Sequence, residues 1–186
     1  MTMVKLAHGD RREAVRRAEE IAGHSWIRDT DNYTGLATPD RWLAGAIGEI
    51  AVKIWAERRG LEYEETSNTD GYPDSQDLIF PFKNGKKARV NCKCTLHPRG
   101  IRLMQPMAQF EKHCNQDLYI GCTADDDGQQ VGVLLWGVIQ RTKFEELADR
   151  LTPEDSGLVQ VPSLVFPLSK LPYKMEQFAR NIQVKK

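Results

Sequence analysis

The sequence lacks three features that mark large classes of proteins: a net charge, a long apolar run and many cysteines. Its 186 residues include 26 Lys and Arg against 26 Asp and Glu, so the formal charge is zero. This balance excludes a histone-like protein, whose binding to a polyanion depends on overall positive charge. Because no run reaches the roughly 18 apolar residues of a membrane span, we predict no membrane partner.

Export signals are also missing. Residues 1–17 are charged and carry no apolar stretch of the secretory kind. The 4 cysteines therefore predict reduced thiols in a cytoplasmic protein. Their spacing, C-x-C followed by two isolated cysteines, matches no usual metal pattern, so we interpret Cys92, Cys94 and Cys122 as small buried thiols.

The length and the apolar content favour one folded domain. Hydrophobic residues make up 40% of the chain, and a chain of this size fits the usual domain of roughly 100–200 residues. We predict a single domain over 1–186, with an N-terminal helix and connector over 10–36. The domain then has a core over 38–140, followed by C-terminal helices and an extended segment over 141–186.

Helix and strand signals alternate along the chain. Charged and apolar residues at helical spacing predict an exposed helix over 10–22. Thr38 and Pro39 mark the start of a strongly apolar helix that we expect to end near Gly60. Strands are predicted over 61–65, 77–80, 88–95, 118–123 and 131–139, an extended segment over 159–166, and helices over 144–151 and 173–182. Residues 101–113 are ambiguous because they include Pro106, and a short helix is one interpretation. This order predicts an α/β domain in which helices flank a central mixed β-sheet.

Charge is unevenly distributed around a predicted hairpin, whose turn is the Asn84-Gly85 pair. Residues 62–77 include six acids and no Lys or Arg, whereas residues 78–110 include seven Lys and Arg and no acid. Carboxylates beside basic groups suit a divalent cation next to a phosphate. The alternative is a solvated hairpin whose lysines protect a sheet edge.

Strand alternation places Asn91 and Lys93 on one face of the returning strand and Cys92 and Cys94 on the other, apolar face. Asp77 begins the partner strand of the hairpin. We therefore expect Asp77 to lie close to Asn91 and Lys93.

Three motifs follow one another in this region: Gly45-Ala46-Ile47-Gly48-Glu49 on the apolar helix, Asp77 at a strand start, and Asn91-Cys92-Lys93 after the hairpin. In this order and placement, the chain resembles the PD-(D/E)xK nuclease superfamily over about residues 39–139. The resemblance implies a restriction-endonuclease-like core within residues 38–140. The chain departs from the family pattern at Asn91, where the family has an acid.

The resemblance implies hydrolysis of phosphodiester bonds with Mg²⁺ or Mn²⁺ as cofactor. Asp77 would be the main metal ligand, and Asn91 and the backbone carbonyl of Cys92 would complete the protein ligands. Glu49 would reach a metal-bound water or a second metal, and Lys93 would orient the attacking water or stabilise the phosphate. Phosphate contacts would come from Lys83, Lys86, Lys87, Arg99 and Arg102.

The asparagine leaves three accounts open. Asn91 ligates weakly while Asp77 and Glu49 carry the charge, or Asp74 takes over the missing carboxylate, or the domain binds without cleaving. A separate alternative makes Glu49 a structural ion-pair partner of Lys93.

The expected function is that of a metal-dependent DNA endonuclease of phage or prokaryotic type. DNA is the expected partner, and the protein is also expected to form a homodimer or to bind a protein partner. One alternative is a non-catalytic nucleic-acid-binding or interaction protein with the same fold. Another is an unrelated α/β protein in which Glu49, Asp77 and Lys93 do not converge.

Overall fold

A computed structural model of the chain describes residues 1–22, 38–65, 78–96, 101–112, 116–156, 159 and 161–185. The helices are α1 (His8–Ala22), α2 (Thr38–Glu57), α3 (Met107–Lys112), α4 (Arg141–Leu147) and α5 (Met175–Ala179), with a 3₁₀ turn over Leu168–Lys170. The strands are β1 (Thr2–Leu6), β2 (Glu64–Glu65), β3 (Leu78–Pro81), β4 (Lys87–Thr95), β5 (Arg102–Pro106), β6 (Leu118–Asp126), β7 (Val131–Gln140), β8 (Asp149–Leu151) and β9 (Ser163–Pro167).

The described strands form two sheets. The larger sheet has the order β1-β7-β6-β4-β3-β2, in which β4 and β6 run parallel and every other neighbouring pair is antiparallel. The smaller sheet, β5-β9-β8, is antiparallel. A mixed sheet flanked by helices confirms the predicted α/β class.

Helix α2 covers one face of the larger sheet. Its residues Ile47, Ala51 and Trp55 are fully buried in a core that includes Val90 of β4 and Ile120 of β6. Removing this much apolar surface from water is the main stabilising contribution to a packed helix. Helix α1 packs against α2 and contacts β1, and its Ala14 is fully buried in the same core, so α1 adds to the apolar packing on this face.

The opposite face of the larger sheet has its own apolar cluster. Tyr119 of β6 and Ile139 of β7 pack there against Leu103 of β5, Phe166 of β9 and Phe144 of α4. Aromatic rings dominate the contacts, with the Tyr119 and Phe144 centroids 5.1 Å apart. The smaller sheet and α4 therefore cover this face.

An extended C-terminal segment over 181–185 connects the turn of the β3–β4 hairpin to the residues that follow α2. Ile182 forms a bridge with Phe82, and Val184 forms one with Leu61. The Gln183 N–H donates to the Pro81 carbonyl at 2.8 Å. This segment thus links parts of the chain that are far apart in sequence.

Several predicted elements differ from the observed ones. Strand β1 was not predicted, because a five-residue strand has too few residues for a strong pattern and gains its stability from pairing with β7. Residues 101–113 begin as β5 and only then become helical. The helix predicted over 144–151 lies at Arg141–Leu147 and is followed by β8, and the terminal helix is limited to Met175–Ala179.

Among the helices that the structure describes, none combines the length and the apolar character needed to cross a membrane.

Candidate functional site

Glu49 lies in the middle of α2 and is held by two cations. The Arg17 Nη1 of α1 donates to its carboxylate at 3.0 Å, and the Lys53 Nζ lies 3.2 Å from the same oxygen. Lys53 is itself only 7% exposed and also contacts Glu65 of β2 at 2.5 Å. The charge of Glu49 is therefore compensated within the fold, which makes a carboxylate tolerable in an apolar helix.

The ion pairs extend along α1. Glu13 accepts hydrogen bonds from Arg17 at 2.8 Å and from Arg16 at 2.7 Å. These hydrogen bonds, that of Arg16 first, lower the pKa of Glu13 to about 2. Because Arg17 joins Glu13 to Glu49, one network connects α1, α2 and β2.

Asn91 and Lys93 lie on the other side of the larger sheet. Val90 and Cys92 belong to the core beneath α2, so the alternation of β4 turns Asn91 and Lys93 away from that helix. In the parallel register, Asn91 is paired with Tyr119 and Lys93 with Gly121. This confirms the predicted split of β4 into a thiol face and an Asn91–Lys93 face.

The packing of α2 identifies the face to which Glu49 belongs. A Cβ on Gly48 would lie 2.6 Å from the Cys94 Cβ, so α2 touches the thiol face of β4 directly. Glu49 therefore belongs to the helical layer on that face. The structure brings Asn91 and Lys93 together on one face and Glu49 together with Arg17, Lys53 and Glu65 on the other.

The hairpin was predicted to bring a strand start beside Asn91. The first residue of β3, Leu78, is paired with Val90, the neighbour of Asn91. Asp77, which precedes Leu78 in the chain, lies outside the described residues, as do Asp74 and Arg99. Their predicted roles stay predictions, and so does the metal ligation by the Cys92 carbonyl.

The predicted phosphate-binding residues fall into two places. Lys83, Lys86 and Lys87 are exposed around the turn between β3 and β4, and the six residue steps from Lys87 to Lys93 span about 20 Å of strand. Arg102 is exposed on β5. The Cδ1 of its buried neighbour Leu103 is 3.7 Å from the position that a Cβ on Gly121 would take, so β5 packs on the Lys93 face and strand alternation turns the Arg102 side chain away from it.

Arg17, Lys53 and Glu65 are the partners of Glu49 that sequence reasoning did not identify. Lys53 follows Glu49 at the i,i+4 spacing, which is the one local signal for that pair. Arg17 comes from another helix and carried no signal. The predicted alternative, an ion pair between Glu49 and Lys93, is replaced in the structure by these partners.

The donors on the Asn91–Lys93 face were tested for their fit to a divalent cation. Mg²⁺ prefers oxygen ligands and uses one or two carboxylates, and Asn91 offers a neutral amide oxygen. The described part of the chain holds no group of three or more His, Cys, Asp or Glu residues placed to bind a metal. Asp117, a described acid beside β4, accepts hydrogen bonds from the Arg89 N–H and Nε. The carboxylate that the resemblance assigns beside Asn91 is that of Asp77, which lies outside the described residues.

The chain was compared with protein-family models, with curated proteins and with solved structures. No family model, curated protein or solved structure matches it.

Proposed function

We propose that the protein is a divalent-metal-dependent nuclease that hydrolyses phosphodiester bonds in DNA. The observation that carries the proposal is the pairing of Leu78 with Val90. Through this pairing, the chain enters β3 next to the strand that carries Asn91 and Lys93. Asp77 immediately precedes Leu78 in sequence, and we propose that its carboxylate lies beside Asn91.

The order of elements supports a restriction-endonuclease-like core. The Glu49-bearing helix α2 is followed by the hairpin β3–β4, by α3, and by β6 parallel to β4. The Glu49 motif lies on a helix and Asn91-Cys92-Lys93 lies on the second strand of a hairpin, as the resemblance implies, and Asp77 immediately precedes Leu78 in sequence. This order of elements supports the proposal, whereas the position of Glu49 on the face opposite Lys93 is what coincidental motifs in an unrelated α/β protein predict.

Asp77 and Asn91 would hold Mg²⁺ or Mn²⁺, which supplies Lewis acidity and lowers the pKa of a bound water. The Lys93 ammonium, two residues from Asn91 on the same face, would stabilise negative charge on the phosphate. Arg102 would hold the DNA backbone without reading bases. Glu49 keeps its observed ion pairs, and its predicted contact with a metal-bound water stays a prediction.

Two observations favour a second candidate, a nucleic-acid-binding protein that does not cleave. Asn91 replaces a carboxylate, and Arg17 and Lys53 already neutralise Glu49. A binding protein needs neither residue to ligate a metal. The candidates therefore differ in whether metal-dependent cleavage occurs.

A plasmid-nicking assay with Mg²⁺ and then Mn²⁺ tests the proposal, with single-stranded DNA and RNA as parallel substrates. We expect the wild type to nick DNA, and Asp77→Ala and Lys93→Ala each to lose activity by about 100-fold or more. Lys5→Ala is the matched control, because Lys5 is an exposed lysine on β1, three strands away from β4 in the larger sheet. We expect it to retain most of the activity.

Absence of cleavage by the wild type with either metal, combined with DNA binding in a gel-shift assay, would establish the second candidate. Asn91→Glu then shows whether the missing carboxylate is the cause, because activity gained in that variant identifies a nuclease site that lost its metal ligand. Cleavage that survives in both Asp77→Ala and Lys93→Ala would overturn the assignment of the site.

A further inference from the structure

Two cysteines lie side by side in the larger sheet. Cys94 of β4 and Cys122 of β6 are direct partners in the parallel register, so their side chains point to the same face. Both are thiols, since the structure shows no disulfide among the cysteines it describes. Neighbouring strands are about 4.8 Å apart, which falls within the Cα separation of disulfides, roughly 4.4–6.8 Å.

Helix α2 closes over this thiol pair at a glycine. A Cβ on Gly48 would lie 3.1 Å from the Cys122 Sγ and 3.6 Å from the Cys94 Sγ. The two sulfur atoms therefore border the same small space under the helix.

The close packing of α2 on the two thiols limits which modification the space between them can hold. A methyl group on Gly48 would already approach the Cys94 Cβ to 2.6 Å, so an added ligand or metal ion has no room there without moving α2. No third His, Cys, Asp or Glu completes a metal site within the described ranges. A disulfide joins the two sulfurs without adding any heavy atom, and it is the modification that this space accommodates.

We propose that Cys94 and Cys122 form a reversible disulfide when the protein meets a peroxide. Cys94 is half-buried and Cys122 is 1% exposed, so the oxidant reaches Cys94 first. The Cys94 thiolate attacks one peroxide oxygen: an S–O bond forms, the O–O bond breaks, and hydroxide leaves and takes up a proton. The sulfur is oxidised by two electrons to the sulfenic acid, and the peroxide is reduced.

The second step uses the neighbouring thiol. Cys122 sulfur attacks the Cys94 sulfenic sulfur, an S–S bond forms and the S–O bond breaks. The departing hydroxyl group combines with the Cys122 proton and leaves as water.

The disulfide also acts on the strand that carries Lys93. In the thiol form, the Cys122 Sγ donates a hydrogen bond to the Lys93 carbonyl at 3.4 Å. Forming the disulfide removes this proton and the hydrogen bond with it. This thiol pair goes beyond the proposed nuclease function and does not depend on it. The disulfide requires only that Cys94 of β4 and Cys122 of β6 are neighbours.

The experiment treats the folded wild-type protein with increasing hydrogen peroxide, blocks the remaining thiols and maps the peptides by non-reducing mass spectrometry. We expect a peptide pair linked through Cys94 and Cys122, lost after dithiothreitol, with two of the 4 thiols consumed. The variant Cys92→Ser is the matched control, because Cys92 shares the strand and the face but is paired with Ile120. It keeps the linked pair, whereas Cys94→Ser loses it and leaves Cys122 reduced.

Three results would overturn the proposal: Cys94 advancing to the sulfinic acid while Cys122 stays a thiol, a dominant link through Cys92 or Cys114, or no oxidation at Cys94. The wild-type map alone distinguishes these outcomes, so the test stands even if Cys94→Ser does not fold. Because the readout is mass, the result is independent of whether the protein cleaves DNA.

Discussion

On the α2 face of the larger sheet, Glu49 meets two cations and its charge is compensated inside the fold. On the opposite face, Asn91 and Lys93 lie beside the aromatic cluster around Tyr119, and a neutral amide stands where the resembled family has an acid. The comparison teaches that a glutamate inside an apolar helix is explained by its ion pairs before any metal is invoked. The proposed nuclease site therefore belongs to the Asn91–Lys93 face.

The largest expected change in the free energy of unfolding comes from truncating one large side chain in each of the two apolar clusters. Trp55 of the α2 face and Phe144 of the opposite face are both fully buried. Replacing either with Ala leaves a cavity and should lower the free energy of unfolding by about 3–5 kcal/mol. Denaturant unfolding measures this loss for both variants.

Hydrogen exchange on the same variants shows whether the faces are separate units. We expect Trp55→Ala to reduce protection throughout the larger sheet, and Phe144→Ala to reduce it first in β8 and β9. Identical protection patterns in the two variants would show that the faces open together and would remove the distinction drawn here.

Two glycines of α2 give a matched pair for the packing of the α2 face. A Cβ at Gly48 meets the Cys94 Cβ at 2.6 Å, whereas a Cβ at Gly45 meets nothing within 4 Å. We expect Gly48→Ala to destabilise the protein by about 1–3 kcal/mol. Gly45→Ala should stabilise it by about 0.5–1 kcal/mol, because Ala is the better helix former. Thermal unfolding measures both, and a neutral Gly48→Ala would contradict the close contact.

The next smaller effect concerns Lys53. Replacing it with Met leaves Glu49 with Arg17 alone, and we expect a loss of about 1–2 kcal/mol that persists in high salt, because Lys53 is nearly buried. Lys87→Met is the control, since its pair with Glu64 is exposed on both sides. It should change stability by about 0.5 kcal/mol or less. Equal losses for the two variants would show that burial of Lys53 adds nothing to the network.

The smallest expected effect is the pH dependence from Glu13. Its pKa in the folded protein is about 2, below the unfolded value of about 4.3. Its stabilising contribution is therefore present above about pH 4.3 and is lost as the pH falls toward 2. Glu13→Gln lacks this contribution, so the two unfolding free energies should converge as the pH falls through that window. Because the Glu13 side chain is 36% exposed and water screens its ion pairs, we expect a difference of no more than about 1 kcal/mol at neutral pH.

The sequence predicted the elements whose signals are local. Helix α2 was predicted from the Thr38-Pro39 start and its apolar pattern and is observed over Thr38–Glu57. The Asn84-Gly85 turn is observed with Gly85 at φ 82°. The smaller sheet was not predicted, because β5 is defined by its pairing with β9, and such distant pairing leaves no local trace.

The candidate site was predicted in part for the same reason. Alternation along β4 placed Asn91 and Lys93 together, since the two-residue period is local. It could not show which face α2 covers, because that depends on the fit of Gly48 over Cys94 and Cys122. Nor could it show that Arg17, from a separate helix, forms an ion pair with the carboxylate of Glu49.

The last described part of the chain, residues 175–185, constrains the order in which the protein folds. Gln183 donates from its side chain to the Phe82 carbonyl across 101 residues, and Thr2 donates to Glu176 across 174 residues. During synthesis, the hairpin and β1 emerge from the ribosome long before these partners exist. The nascent chain must keep the edges of the larger sheet from pairing wrongly until then. A ribosome-stalled chain ending before residue 176 should therefore be open to proteases at both places.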